Sequence, residues 1–99
     1  MAYEHGNFDA TLAAAAGEDA ALLAELRKAF GESLSGHLDL LRRARCDGNW
    51  QVAAMRLKGL AASFHATDLQ ALAEEALASA PGEPTVIRRI EQYCVDFSN

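Results

Sequence analysis

Residues 49–66 read NWQVAAMRLKGLAASFHA, and their spacing predicts an α-helix over Trp50 to about Phe64. A helix advances about 100° per residue. Ala53, Leu57, Leu60 and Phe64 then fall within roughly 60° of one another. Flanked by Val52, Ala54 and Ala61, they form a stripe suited to a core. The opposite side is unusual. Met55, Gly59, Ala62 and Ala66 line up there, edged by Gln51, Lys58 and Ser63. A solvent-facing helix side normally carries Lys, Glu or Gln. This one carries a flexible apolar residue and a row of small ones, so either the chain buries it or something docks on it.

The segments around this helix point the same way. Phe8 to Ala16 suits a short helix, with Asn7 or Asp9 as cap and Gly17 as stop. The four alanines at 13–16 add helix propensity. From about Glu18 to Arg45, Leu22, Leu23, Leu26, Phe30, Leu34, Leu38 and Leu41 recur at spacings of mostly three and four, with Asp19 placed to cap. Gly31 and Gly36 inside that run mark a bend, a close helix contact or a split. Cys46-Asp47-Gly48-Asn49 has turn composition, and Asp47 or Asn49 can cap the helix that begins near Trp50. Trp50 is placed as an apolar lid.

Thr67-Asp68-Leu69-Gln70 fits a capping box opening a further helix. Its inner face is Leu69, Leu72, Ala73, Ala76 and Leu77, with Glu74 and Glu75 outside. Ala80-Pro81-Gly82-Glu83-Pro84 is a turn, and Pro84 suits the first position of a last helix. There Ile87, Ile90, Cys94 and Phe97 repeat, Val86 and Tyr93 broaden the face, and Arg88, Arg89 and Glu91 stay solvated. The expected fold is all-α. It is an up-and-down four-helix bundle with a short N-terminal helix, a single domain over 1–99 with a loose leader at 1–6.

Composition narrows function. The net charge of −5 argues against nucleic acid, which needs a basic surface. Arg42, Arg43 and Arg45 suit a solvated helix end that complements the helix dipole. No apolar run approaches the roughly 20 residues that span a bilayer. Cys46 and Cys94 lack zinc spacing and nothing suggests secretion, so reduced thiols and a cytoplasmic location are expected. His5, His37 and His65 are isolated, with no carboxylate at helical spacing on an apolar face. His37, at the edge of the long apolar stripe, reads as a partly buried, hydrogen-bonded side chain. No metal site, cofactor loop or hydrolase motif is present. Function is therefore expected on a surface.

Met55-Arg56-Leu57-Lys58-Gly59-Leu60-Ala61-Ala62-Ser63-Phe64-His65-Ala66 resembles the signature of histidine-containing phosphotransfer (HPt) domains. That signature is His-x-Leu-Lys-Gly, small residues, Phe or Leu-Gly-Ala, then a Leu- and Ala-rich helix. Phe30, the Leu38 and Leu41 stripe, the Asp47-Gly48-Asn49-Trp50 turn and the helix from Leu69 to Ala76 come in the family's order, over about residues 8 to 97. The resemblance implies a four-helix bundle that passes phosphoryl groups between receiver aspartates through one exposed histidine. It implies partner-binding residues Gln51, Met55, Arg56, Lys58, Gly59, Ala62 and Ser63, with a response-regulator receiver domain or a sensor histidine kinase as partner.

Two positions depart from the family. Met55 stands at the phosphoacceptor histidine, and a thioether is a very weak acceptor. His65 stands at a glycine that ends the helix with positive φ, a conformation in which histidine is comparatively frequent. The sequence thus predicts a binding protein of a phosphorelay rather than an enzyme. The alternatives are phosphotransfer on His65 or His37, or a homodimer closed through the Met55 face.

Overall fold

The computed structural model describes residues 6–98, with side chains from Phe8 onward. The predicted leader, with His5, lies outside the described residues except for Gly6, which opens the first helix. Among the described residues five helices succeed one another: α1 Gly6–Ala16, α2 Ala20–Arg43, α3 Asp47–Ser63, α4 Thr67–Leu77 and α5 Pro84–Ser98. No strand occurs among the described residues.

Local chemistry sets most boundaries. Gly17 takes φ 64° and stops α1, a conformation that costs glycine nothing. Asp9 lies inside α1 and pairs with Arg27 at 3.5 Å, so it is not a cap; the side chain of Asn7 lies outside the described residues. Asp19 caps α2, its carboxylate accepting from the amides of Ala21 and Leu22 at 3.0 and 3.1 Å. At the other end of α2, Arg45 Nη1 donates to the carbonyls of Arg42 and Ala44, satisfying acceptors that a helix terminus leaves open. Pro84 opens α5, as its fixed φ and missing N–H favour.

Two starts differ from expectation. Asp47-Gly48-Asn49 is the first turn of α3 rather than a separate turn. Cys46 is the N-cap, and its carbonyl already accepts from Trp50 N at 3.0 Å. Residues that favour turns also suit a first helical turn, so composition alone does not separate the two. The Thr67 capping box does not form either: Ala66 holds the N-cap position of α4, with no side-chain bond.

α2 packs on α3 and α5, α4 packs on α3 and α5, and α1 lies on α2. The core runs through all five helices and includes Leu34, Leu38, Leu41, Leu57, Leu69 and Ile90. Leu22, expected in the α2 stripe, is instead exposed, while Leu23 and Leu26 pack at the core margin. α2 is one unbroken helix, so its glycines do not split it. Gly31 is a close contact: a Cβ there would meet the Phe97 ring at 3.1 Å. All four phenylalanines of the sequence, Phe8, Phe30, Phe64 and Phe97, gather in one cluster. Phe30 lies with ring centroids 4.7, 5.1 and 5.2 Å from Phe8, Phe64 and Phe97, close enough for edge and tilted stacking. Arg27 stands over Phe97 at 4.8 Å.

Trp50 is core rather than lid, only 2% exposed. Its indole nitrogen donates to Ala76 O at 2.7 Å, tying the start of α3 to the end of α4.

Candidate functional site

The buried arc of α3 consists of Trp50, Ala53, Ala54, Leu57 and Ala61. It is turned by roughly 40° from the predicted stripe, towards Trp50, Ala54 and Ala61. The small residues cause this. Ala54 and Ala61 are fully buried, as are Ala73 and Ala76 of the neighbouring α4, which lets the two backbones approach closely. Leu60 and Phe64 become half-buried, and Val52 leaves the core margin altogether at 51% exposed.

The outward arc then reads Val52, Met55, Gly59 and Ala62, within about 80° on the helix wheel. Met55 is 54% exposed at its middle. Gln51, Arg56 and Ser63 are exposed beside it, and Lys58 is half-buried. Ala66, predicted on this arc, is instead buried beyond the helix end. A Cβ built on Gly59 would meet nothing within 4 Å. Packing inside the chain therefore gives no reason for a mid-helix glycine, which costs about 1 kcal/mol relative to alanine.

The polar groups around the arc are mostly engaged. Ser63 Oγ donates back to Gly59 O at 2.9 Å, and Lys58 Nζ leans towards α4 to reach Glu74 at 3.6 Å. Arg56 makes no ion pair with any described residue. Gln51, Val52, Met55 and Arg56 line a shallow hollow, continuous through Val52 and Arg56 with a groove between α2 and α3. Leu40, 37% exposed, lines that groove from α2. The sequence marks neither Leu40 nor Val52 as a surface residue of a site, because a helix wheel does not say which edge of an apolar stripe a neighbour will cover.

His65 has φ 55°, the left-handed conformation expected of the glycine it replaces. Its amide bonds Ala62 O at 3.3 Å, and the amide of Ala66 bonds Ala61 O at 2.8 Å. These two bonds make a Schellman ending for α3. The imidazole Nδ1 of His65 shares a 2.7 Å hydrogen bond with Thr11 Oγ1, which draws it towards α1. Counted along the helix, His65 lies roughly 15 Å beyond Met55. His37 is half-buried on α2, with no hydrogen bond to another described residue. Burial first, and the nearby Arg56 charge second, hold its pKa below the ordinary value. His65 is thus held away from Met55, whereas His37 lies within reach of the charge of Arg56, the residue that follows Met55.

No charged side chain is buried among the described residues, and no group of three His, Cys, Asp or Glu stands ready for a metal. Both cysteines are free thiols, Cys46 exposed and Cys94 half-buried. No described helix is long and apolar enough to cross a membrane. No family model matches the chain, and no curated protein or solved structure is significantly similar to it.

Proposed function

We propose that this chain is an HPt-like domain of a cytoplasmic phosphorelay, binding a receiver domain or a sensor histidine kinase through the outward face of α3 without accepting phosphate there. The proposed architecture is an up-and-down bundle of α2 to α5, with α1 laid against it. The ring of contacts from α2 through α3, α4 and α5 back to α2 supports that architecture. The positive φ of His65, where the family places glycine, supports the alignment of the motif.

One observation carries the reading. An exposed methionine sits at the centre of a small-residue arc whose glycine no internal packing requires. A large side chain at position 59 would obstruct an approaching surface, and methionine adapts to varied contacts. With a thioether at the middle and the hydroxyl of Ser63 turned onto the backbone, the arc offers contact area rather than a nucleophile.

Met55→Asp tests the reading. It should abolish association with receiver or kinase domains of the same organism, measured by calorimetry, while circular dichroism stays unchanged. Absence of binding by the unaltered chain to every such domain would sink the proposal. Intact mass after incubation with a phosphorylated receiver should show no phosphoryl adduct. An adduct lost on His65→Gln or His37→Gln would favour a working relay instead.

A further inference from the structure

We propose that His65 is a latch for α1, and that α1 is a strap which opens as one unit about Gly17 and uncovers the aromatic cluster while α2 to α5 stay folded. Among the described residues His65 is the one non-glycine residue with positive φ. Glycine adopts that backbone freely and histidine does not, so an imidazole here costs stability. The ring adds nothing to the core, because the residue is exposed. What it makes is the 2.7 Å hydrogen bond with Thr11 Oγ1, which ties the corner between α3 and α4 to α1 across 54 positions of the chain. None of these residues belongs to the Met55 arc.

α1 is otherwise lightly held. Each of α2 to α5 packs along two of the others, whereas α1 lies along α2. Among residues 8–16 only Phe8, Leu12 and Ala16 are buried, one per turn. The ion pair of Asp9 with Arg27 is 3.5 Å long and exposed on both sides, so it adds little. The connection to α2, Gly17-Glu18-Asp19, is exposed throughout, and the glycine at its start takes up new backbone angles without steric cost. The side chain of Asp19 bonds amides of α2, so that cap outlasts any movement of α1. Phe30 packs against Phe64 and Phe97 without help from Phe8, so three rings stay together when α1 lifts. A segment with so few buried contacts opens at a lower free energy than the whole domain unfolds. The three rings then form an apolar surface, and the bond between Thr11 and His65 sets how often the molecule shows it.

Native-state hydrogen exchange on the full 15N-labelled chain tests this. The amides of residues 10–16 should exchange as a group, and faster than those of Leu38, Leu57, Ala73 and Ile90 in the other four helices. Thr11→Val keeps the shape of the side chain and removes its hydroxyl, whereas His65→Gly removes the ring and relieves the backbone. Each should speed α1 exchange about fivefold, the loss of one net hydrogen bond. Thr11→Val should speed the four core amides by the same factor, because global unfolding also breaks the latch. His65→Gly should speed them less or not at all. The left-handed backbone is the same with α1 open or closed, so its relief leaves the opening of α1 alone but slows global unfolding. The double variant should open α1 no more than either single one, since both delete one bond. Exchange of α1 at the rate of the core amides in the unaltered chain, α1 exchange unmoved by either substitution, or a double variant whose effect is the product of the two would each overturn the proposal.

Discussion

Trp50 Nε1 and the carbonyl of Ala76 are joined by a buried hydrogen bond of 2.7 Å, and that carbonyl also accepts from Ser79 N at 3.0 Å. The bond fixes how α3 begins relative to how α4 ends. Trp50→Phe removes the donor and part of the ring but leaves the Ser79 bond. It should cost about 1–3 kcal/mol in urea unfolding. A cost below about 0.5 kcal/mol would show that the indole contributes little beyond bulk.

Gly59 and Gly31 are both helical but should answer oppositely to alanine. At Gly59 a methyl group meets open space, so Gly59→Ala should gain about 1 kcal/mol of helix propensity and raise the melting temperature by several degrees. At Gly31 the same methyl stands 3.1 Å from the Phe97 ring. That ring is held by Phe8, Phe30 and Arg27, so it has little room to yield. Gly31→Ala should therefore gain nothing or lose stability. A pair of thermal melts decides it. Equal gains would mean that Phe97 moves freely.

His37 makes stability depend on pH. Burial and the Arg56 charge both disfavour its protonated form in the folded protein. The unfolded chain therefore binds that proton more readily. The contribution is fully present above about pH 6.5, the ordinary histidine value, and is lost as pH falls below it towards the depressed folded value. His37→Gln should flatten this part of a plot of urea midpoint against pH. In an NMR titration, Arg56→Gln should raise the His37 pKa part of the way, leaving the larger effect of burial.

The two thiols should react at different rates. Burial, with Glu91 adding to it against Arg42, raises the Cys94 pKa to about 11, whereas Cys46 is exposed. A pKa near 11 leaves roughly 10²-fold less thiolate at pH 8 than an ordinary thiol holds. A maleimide at limiting ratio should label Cys46 first, as peptide mass mapping would show. Prior labelling of Cys94 would mean that α5 opens readily.

The helices themselves are legible because apolar spacing, Asp19, Gly17 and Pro84 all agree along the sequence. The left-handed backbone of His65 is legible only through the resemblance to a family with glycine there. The exposure of Val52 is not. It arises from alanines on α3 and α4 packing closely, and a pattern read by large side chains gives alanine little weight. Nor is the Ala66 cap. The Schellman bonds at the end of α3 bring the chain into α4 one residue ahead of the Thr67 hydroxyl, which takes no capping role. For the site, spacing is enough to name Gln51, Met55, Gly59, Ala62 and Ser63 as outward, but not Val52. The unpaired state of Arg56 depends on which acids other helices bring near, and no local pattern records that.

The phenylalanine cluster bears on how the chain reaches its fold. Phe8 and Phe97 stand near opposite ends of the sequence, yet their rings meet 5.6 Å apart. Closing that contact requires nearly the whole chain to be in place, so on a ribosome the cluster cannot assemble until α5 has emerged. A fragment ending before Pro84 would leave Phe8, Phe30 and Phe64 without their fourth member, as an apolar surface prone to associate.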